Sequence, residues 1–368
     1  TYFICTCFFC CCFCHSSFNY NPCKILHSVF INTFVANLGS MQVESWNMED
    51  LKGLETSNFL PKALSVMQYQ SMNNAVYREW VQSMKVALDS VENFEQIPFL
   101  PIDFFKTHAI YTGTEIPSFY FESSGTSQDT VSKHFVKDLK VYEQSFNQCF
   151  QQFYGAPQDY CILGLLPNYL ERQHSSLVYM TQHLIQASKD ARSGFYLYDF
   201  EKLNHTLVML EKEQKKTILI GVSFALMDFV DAYPQSLKHT IVVETGGMKG
   251  RKQELTKPAL HAYLSNGFGV ESIHSEYGMT ELLSQAYSKG EGIYTCPPWM
   301  KVLVADESDP TALSTTGRGV LHIIDLANHH SCAFIATEDI GIVHPDGSFE
   351  VIGRLDQSAR RGCSLLVV

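Results

Sequence analysis

Nowhere does the chain carry a long basic run, and its 27 Lys+Arg are outnumbered by 38 Asp+Glu, a net charge of −11. That excludes the electrostatic footprint of a nucleic-acid-binding protein, and no nucleic-acid partner is expected. An acidic ligand would need local cations or Mg2+ to offset the general repulsion. Cysteine is sparse through the body, where Cys149, Cys161, Cys296, Cys332 and Cys363 lie scattered without metal-ligand spacing. This excludes a disulfide framework and fits a reducing, cytoplasmic compartment. Internal repeats and low-complexity linkers are also absent, which favours one compact body. With 45% hydrophobic and 18% charged residues, 368 residues are ample for a large core.

Seven of the twelve cysteines crowd into the first 23 residues, at Cys5, Cys7, Cys10, Cys11, Cys12, Cys14 and Cys23. The apolar tract around them lacks the charged leader and small-residue cleavage site of a signal sequence. It is also too short to cross a bilayer, so stable membrane insertion is not expected. Adjacent cysteines rarely make a clean tetrahedral zinc site. Met41 therefore reads as the natural start, with residues 1–40 a non-native or disordered Cys-rich extension.

From Pro61 to about Glu95 the pattern is helical, with Val76, Trp80, Met84 and Leu88 recurring on one face. Proline-rich Ile97–Pro101 ends that unit. Leu139, Tyr142, Phe146, Phe150 and Phe153 form a second helical stripe, of the kind that fills a core. Apolar runs then alternate with helical patterns. Strands are expected at Tyr160–Leu166, Thr217–Val222 and Thr240–Val243, and helices at Ser175–Ala187 and around Leu203, Leu207 and Leu210. Such alternation indicates an α/β domain with a largely parallel sheet. Beyond Thr295, closely spaced strand candidates at Val302–Val304, Val320–Ile324, Ala333–Ala336 and Phe349–Ile352 mark a β-rich subdomain. The turn His344-Pro345-Asp346-Gly347 joins the last two as a hairpin. The expected organisation is an α/β core over 41–295 and a β-rich subdomain over 296–368.

Five segments carry candidate chemistry. Ser123-Ser124-Gly125-Thr126-Ser127-Gln128 gathers hydroxyl donors around a glycine, which suits a phosphate but is also ordinary turn material. Glu244-Thr245-Gly246-Gly247-Met248-Lys249-Gly250 follows a strand, and the carboxyl ends of strands are where open α/β sheets place ligands; the paired glycines equally suit a tight strand-to-helix turn. Ser275-Glu276-Tyr277-Gly278-Met279-Thr280-Glu281 offers a ring to stack on a base, a hydroxyl, and a carboxylate able to hold Mg2+; it equally suits a helix start capped by Ser275. Thr337-Glu338-Asp339-Ile340-Gly341 places an acid beside a turn, where it could accept both hydroxyls of a ribose. The last is Gly353-Arg354-Leu355-Asp356.

In order and spacing these segments resemble the core motifs of the adenylate-forming superfamily, from about Phe99 to the end. Within it the chain looks most like the LuxE-type acyl-protein synthetases. The closer cues are Ser132-Lys133-His134, Leu166-Pro167-Asn168-Tyr169-Leu170-Glu171-Arg172 and the terminal Arg361-Gly362-Cys363. The resemblance implies an adenylate-forming N-terminal-type α/β domain whose large mobile C-terminal domain is absent or minimal. It also implies ATP and Mg2+ as cofactors, a fatty acid or other carboxylate as substrate, and an acyl-accepting protein partner such as a reductase or carrier. By it, Ser123, Ser124, Gly125, Thr126 and Ser127 would cradle the β- and γ-phosphates. Gly246 and Gly247 would flank adenine, with Tyr277 and Gly278 against it. Thr280 would contact the α-phosphate, Glu281 would hold Mg2+, Asp339 would bind the ribose, and Arg354 would lie near ribose or phosphates. Asp356 would sit at the hinge of related enzymes. Gln128 departs from the second glycine of the family loop. The adenylation lysine has no motif here, and Lys133 is its candidate.

Carboxylate attack on the α-phosphorus of ATP gives an acyl adenylate and pyrophosphate. A thiolate then displaces AMP, splitting one hard step into two easier ones. By the resemblance Cys363 is that thiol, and Arg360 and Arg361 beside it favour the thiolate. His174 is a further acid/base candidate for which the sequence offers no partner. Two alternatives stand: a carboxylate–CoA ligase of the phenylacetate type, and an inactive nucleotide-binding protein.

Overall fold

Asn74 divides what the helical pattern presents as one element. The computed structural model describes residues 48–124, 131–167, 174–246 and 255–355. In it a short helix α1 (Met48–Lys52) leads to α2 (Thr56–Asn73) and then to α3 (Ala75–Ser83). The Asn74 side chain accepts from the Tyr77 N–H at 3.0 Å, capping the new helix. The face expected from Val76, Trp80, Met84 and Leu88 is not the buried one. Tyr77 and Val81 are buried instead, and Met84 is 37% exposed. Tyr77 donates to the Pro98 carbonyl at 2.8 Å and stacks on Phe334, which turns the helix by one residue. Leu88 lies beyond the end of α3 altogether.

The chain continues through β1 (Leu100–Pro101), α4 (Phe104–Thr107) and an antiparallel hairpin of β2 (Phe119–Glu122) and β3 (Lys133–Val136). The aromatic stripe forms α5 (Leu139–Tyr154), with Tyr142, Phe146 and Phe150 in the core and Gly155 ending it at φ 86°. Strands and helices then alternate as β4 (Cys161–Leu165), α6 (Ser176–Ser188), β5 (Gly194–Phe195), α7 (Phe200–Lys212), β6 (Thr217–Val222), α8 (Ser223–Ala232), β7 (Thr240–Thr245), α9 (Lys257–Phe268), β8 (His274–Tyr277) and β9 (Ala286–Ser288). The strands make a six-stranded sheet in the order β5-β4-β6-β7-β8-β9, parallel except for β9. Strand β4 is buried throughout, as is β6, so both read as unbroken apolar runs rather than alternating ones. Leu203, Leu207 and Leu210 of α7 and Phe224, Leu226 and Phe229 of α8 belong to the core packed on it.

The second sheet comprises β10 (Ile293–Tyr294), β11 (Met300–Ala305), β12 (Leu313–Ser314), β13 (Gly317–Asp325), β14 (Phe334–Val343) and β15 (Phe349–Arg354), with β1 added parallel to β14. Strands β14 and β15 form the expected hairpin, closed by the Gly347 N–H on the His344 carbonyl at 2.9 Å. The described residues are thus α/β, with one largely parallel sheet and one largely antiparallel sheet. Among the described residues no helix is long and apolar enough to cross a membrane.

Candidate functional site

Strands β2 and β3 carry the hydroxyl-rich segment between them, and Ser123 and Ser132 close its neck. The Ser123 N–H donates to the Ser132 carbonyl at 3.1 Å, and the Ser132 N–H donates to the Ser123 hydroxyl at 2.9 Å. Ser123 therefore shapes the loop. Ser124 lies at the edge of the described segment, and Gly125, Thr126, Ser127 and Gln128 fall outside it. Lys133 pairs with Glu122 directly across the hairpin, its ammonium 3.5 Å from the carboxylate and 4.7 Å from the Tyr120 ring centre. His174 stacks on the same Tyr120 ring at 4.5 Å, and its Nδ1 lies 2.8 Å from the Tyr120 carbonyl. The partner the sequence did not offer His174 is thus the β2 backbone.

The neck of the hairpin meets the segment after β8. His134 Nδ1 is 2.8 Å from the Thr280 carbonyl, and the Ser132 hydroxyl donates to the Glu281 carboxylate. Burial holds the His134 imidazolium down, at about 4, against the favourable Thr280 carbonyl. The Asn328 side chain donates to the Glu281 carbonyl at 2.8 Å. Asp325 accepts from the Leu283 and Ser284 N–H groups and the Ser284 hydroxyl at 2.8, 3.0 and 2.6 Å, fixing this segment to the end of β13. Residues 274–277 form strand β8, so the alternative of a helix capped by Ser275 does not hold. Parallel pairing with β7 claims their backbone instead.

Gly246 ends β7 at φ 72°, beside the register pair Thr245–Glu276. Its carbonyl accepts from the Ser223 hydroxyl at 2.7 Å. Gly247 lies outside the described residues. Beneath this edge Glu244 is fully buried and receives Lys257 Nζ at 2.5 Å, the Ser275 hydroxyl at 2.6 Å and the Ser223 hydroxyl at 3.0 Å. Burial pushes the Glu244 carboxyl up, but Lys257, His261 and Ser275 more than offset that and hold it at about 2. Glu276, which accepts from the Thr245 hydroxyl, goes the other way. Burial and the neighbouring Glu244 charge raise it to about 7. A Cβ added at Gly278 would lie 2.5 Å from Glu276 Oε1, so a side chain there would push the Glu276 carboxyl aside.

Tyr277 donates to Asp339 Oδ2 at 2.8 Å, and Arg354 Nε lies 3.6 Å from Asp339 Oδ1. The Tyr277 ring packs edge-on against Tyr294 and Phe349. Burial raises the Asp339 carboxyl, with Tyr277 and Arg354 acting against it. Asp339 does not lie beside a turn: Thr337–Gly341 is interior to the ten-residue β14. Pairing with β13 and β15 on its two sides fixes it there more firmly than turn chemistry would. The structure thus joins Tyr277, Asp339 and Arg354 in one cluster, and the hairpin neck, Thr280 and Glu281 in another. Lys133 points to Glu122 and belongs to the mouth of the hairpin. Asp356, Arg360, Arg361 and Cys363 lie outside the described residues.

Glu244, Lys257, Glu276, Asp325 and Asn328 were not singled out from sequence. Glu244 and Glu276 lie within candidate segments but were given no role there, although a carboxylate at the end of a buried strand is a signal that it needs a partner. Asn328 and Asp325 carry no local signal; only the pairing of distant strands brings them in. Among the described residues no group of three or more His, Cys, Asp or Glu could hold a metal. A single carboxylate is nonetheless enough for Mg2+ that shares phosphate oxygens. Glu281 suits that task, since burial raises its carboxyl and a cation would relieve the cost of its charge.

The family profile described as "Acyl-protein synthetase, LuxE" matches residues 40–368. A long-chain-fatty-acid–luciferin-component ligase of Aliivibrio fischeri is 23% identical over 360 residues, covering 88% of this chain and 90% of that protein. Its namesake from Vibrio harveyi is 23% identical over 353 residues, covering 88% and 89%. Among solved structures, 2-hydroxyisobutyryl-CoA ligase in the postadenylation state superposes with a TM-score of 0.58 at 11% identity, over 86% of this chain and 73% of that one. That likeness shows a shared adenylate-forming fold. The chain belongs to the LuxE family of acyl-protein synthetases.

Proposed function

We propose that the chain activates a long-chain fatty acid with ATP, as an acyl adenylate, and passes the acyl group to the thiol of Cys363. The observation that carries this reading is the contact between the hydroxyl-loop neck and Thr280–Glu281, made by His134 and Ser132. It sets the neck of the hydroxyl loop beside Thr280 and Glu281. On this reading the loop hydroxyls of Ser123–Ser127 take the β- and γ-phosphates and Thr280 the α-phosphate. Lys133 supplies positive charge at the mouth of the hairpin. Gly246, Gly247, Tyr277 and Gly278 receive adenine, and Asp339 with Arg354 the ribose. Glu281 would hold Mg2+, which supplies neutralisation of phosphate charge.

The fatty acid carboxylate attacks the α-phosphorus, the bond to the bridging oxygen of pyrophosphate breaks, and an acyl adenylate forms. The Cys363 thiolate then attacks the acyl carbon and AMP leaves with the bonding electrons. The reading takes 41–295 as the α/β core and 296–368 as its β-rich partner. The final acceptor is a protein that receives the acyl group from Cys363. The family match and the naming of both relatives as ligases of long-chain fatty acids support it over coenzyme A transfer and over an inactive nucleotide binder.

The test is incubation with labelled tetradecanoate, Mg-ATP and coenzyme A, then hydroxylamine. Label should appear on the protein, be released by hydroxylamine, and be missing from Cys363→Ser. Label on free coenzyme A alone, or undiminished on Cys363→Ser, overturns the acyl-enzyme.

A further inference from the structure

Two consecutive backbone carbonyls in the site, those of Thr280 and Glu281, are each held by a buried side chain from a separate element. His134, on β3, reaches the first at 2.8 Å. A carbonyl oxygen only accepts, so Nδ1 carries the proton and Nε2 is left as a bare acceptor. Asn328, in the turn Leu326–His330, reaches the second, also at 2.8 Å. Both residues are 0% exposed. Neither His134 Nε2 nor Asn328 Oδ1 has a hydrogen-bond partner among the described residues. Each side chain thus spends one hydrogen bond on a carbonyl and leaves its other polar atom buried and unused. That is unfavourable for stability alone, since an unsatisfied buried polar atom costs free energy.

Both supports are themselves rigid. His134 sits in the β2–β3 ladder opposite Phe121, with its ring edge-on to Phe105. The Asn328 turn is held by Gln70 of α2, whose buried amide donates to the carbonyls of Asn328 and His329 at 2.9 and 3.0 Å. With both carbonyls fixed, the Glu281 carboxylate has one backbone direction, and Ser132 orients its head.

We propose that His134 and Asn328 are positioning residues that hold the Thr280 and Glu281 carbonyls from two separate elements, and so aim the carboxylate that takes the cation. The inference rests on the reading of Glu281 as the cation's ligand.

Calorimetric titration of ATP, with and without Mg2+, tests it without relying on turnover. The wild-type protein binds ATP more tightly when Mg2+ is present. In His134→Gln, whose amide reaches the Nε2 position and not Nδ1, that gain falls about tenfold, the usual loss when a metal ligand's support is removed. In His134→Asn, whose amide nitrogen replaces Nδ1, the gain stays within about twofold of wild type. An undiminished gain in folded His134→Gln, or equal losses in the Gln and Asn variants, overturns the proposal. Asn328→Leu tests the other support should His134→Gln fail to fold, with the same loss expected and an undiminished gain contradicting it. A wild-type protein whose ATP affinity ignores Mg2+ overturns the assignment of the cation to Glu281 instead, and the purpose of the two supports with it.

Discussion

Glu244 and Glu276 are one residue apart from each other on neighbouring strands, yet their environments push them in opposite directions. Glu244, paired with Lys257, stays ionised at about 2, whereas Glu276 is raised to about 7 by burial and by the Glu244 charge. Such divergence is a way to keep one carboxyl charged and its neighbour able to carry a proton near neutrality. It has a consequence for stability. Folded Glu276 holds its proton above the usual carboxylate range while the unfolded chain releases it, so the stability it contributes is lost as pH rises from about 4.5 to about 7. Glu276→Gln should flatten that part of the stability-versus-pH curve, a difference on the order of 3 kcal/mol between its ends in denaturant melts. Asp325, raised to about 6, acts with the same sign in both proteins, so the comparison isolates Glu276. Lys257→Met strands the buried Glu244 charge, and stability at neutral pH should drop by roughly 3–5 kcal/mol. A loss under 1 kcal/mol would mean that Glu244 is carried by Ser223, Ser275 and His261 instead.

At the scale of elements, the hairpin of β14 and β15 sets where Asp339 and Arg354 meet Tyr277. Gly341 follows the register shift in that hairpin, and a Cβ there would sit 2.1 Å from the Glu350 carbonyl. Gly341→Ala must therefore part the two strands. It should destabilise the protein by about 1–3 kcal/mol and weaken ATP binding, because Arg354 leaves Asp339 when β15 shifts. A variant with wild-type melting and ATP affinity would contradict this. The elements of the parallel sheet were legible in sequence because buried strands and core-facing helices are written locally. Thr217–Val222 is a strand as expected, and the stripe of Tyr142, Phe146 and Phe150 is the buried face of α5. The buried side of α3 was not legible, since Tyr77 is drawn in by the distant Pro98 carbonyl and Phe334. Nor was the strand placement of Asp339, whose acid-and-glycine surroundings look like a turn until β13 and β15 pair with it. The supports at His134, Asn328 and Asp325 join residues far apart in sequence, and no local pattern announces such contacts.

At the scale of the molecule, the motifs come together in two neighbouring clusters, one on the hairpin neck and Thr280–Glu281, the other on Tyr277, Asp339 and Arg354. The parallel sheet supplies Gly246 and Tyr277 from the carboxyl ends of adjacent strands, where open α/β sheets bind ligands. The antiparallel sheet supplies Asp339, Arg354 and, through Asp325, the anchor for the segment beyond Glu281. The net charge of −11 leaves the general field repulsive to ATP, so binding should depend strongly on Mg2+ and on the few local cations. The central claim is fatty-acid adenylation, and its most direct test is exchange of labelled pyrophosphate into ATP across a panel of carboxylic acids. The account predicts Mg2+-dependent exchange with long-chain saturated fatty acids, and little with acetate or phenylacetate. Binding of ATP with no exchange for any carboxylate would contradict it.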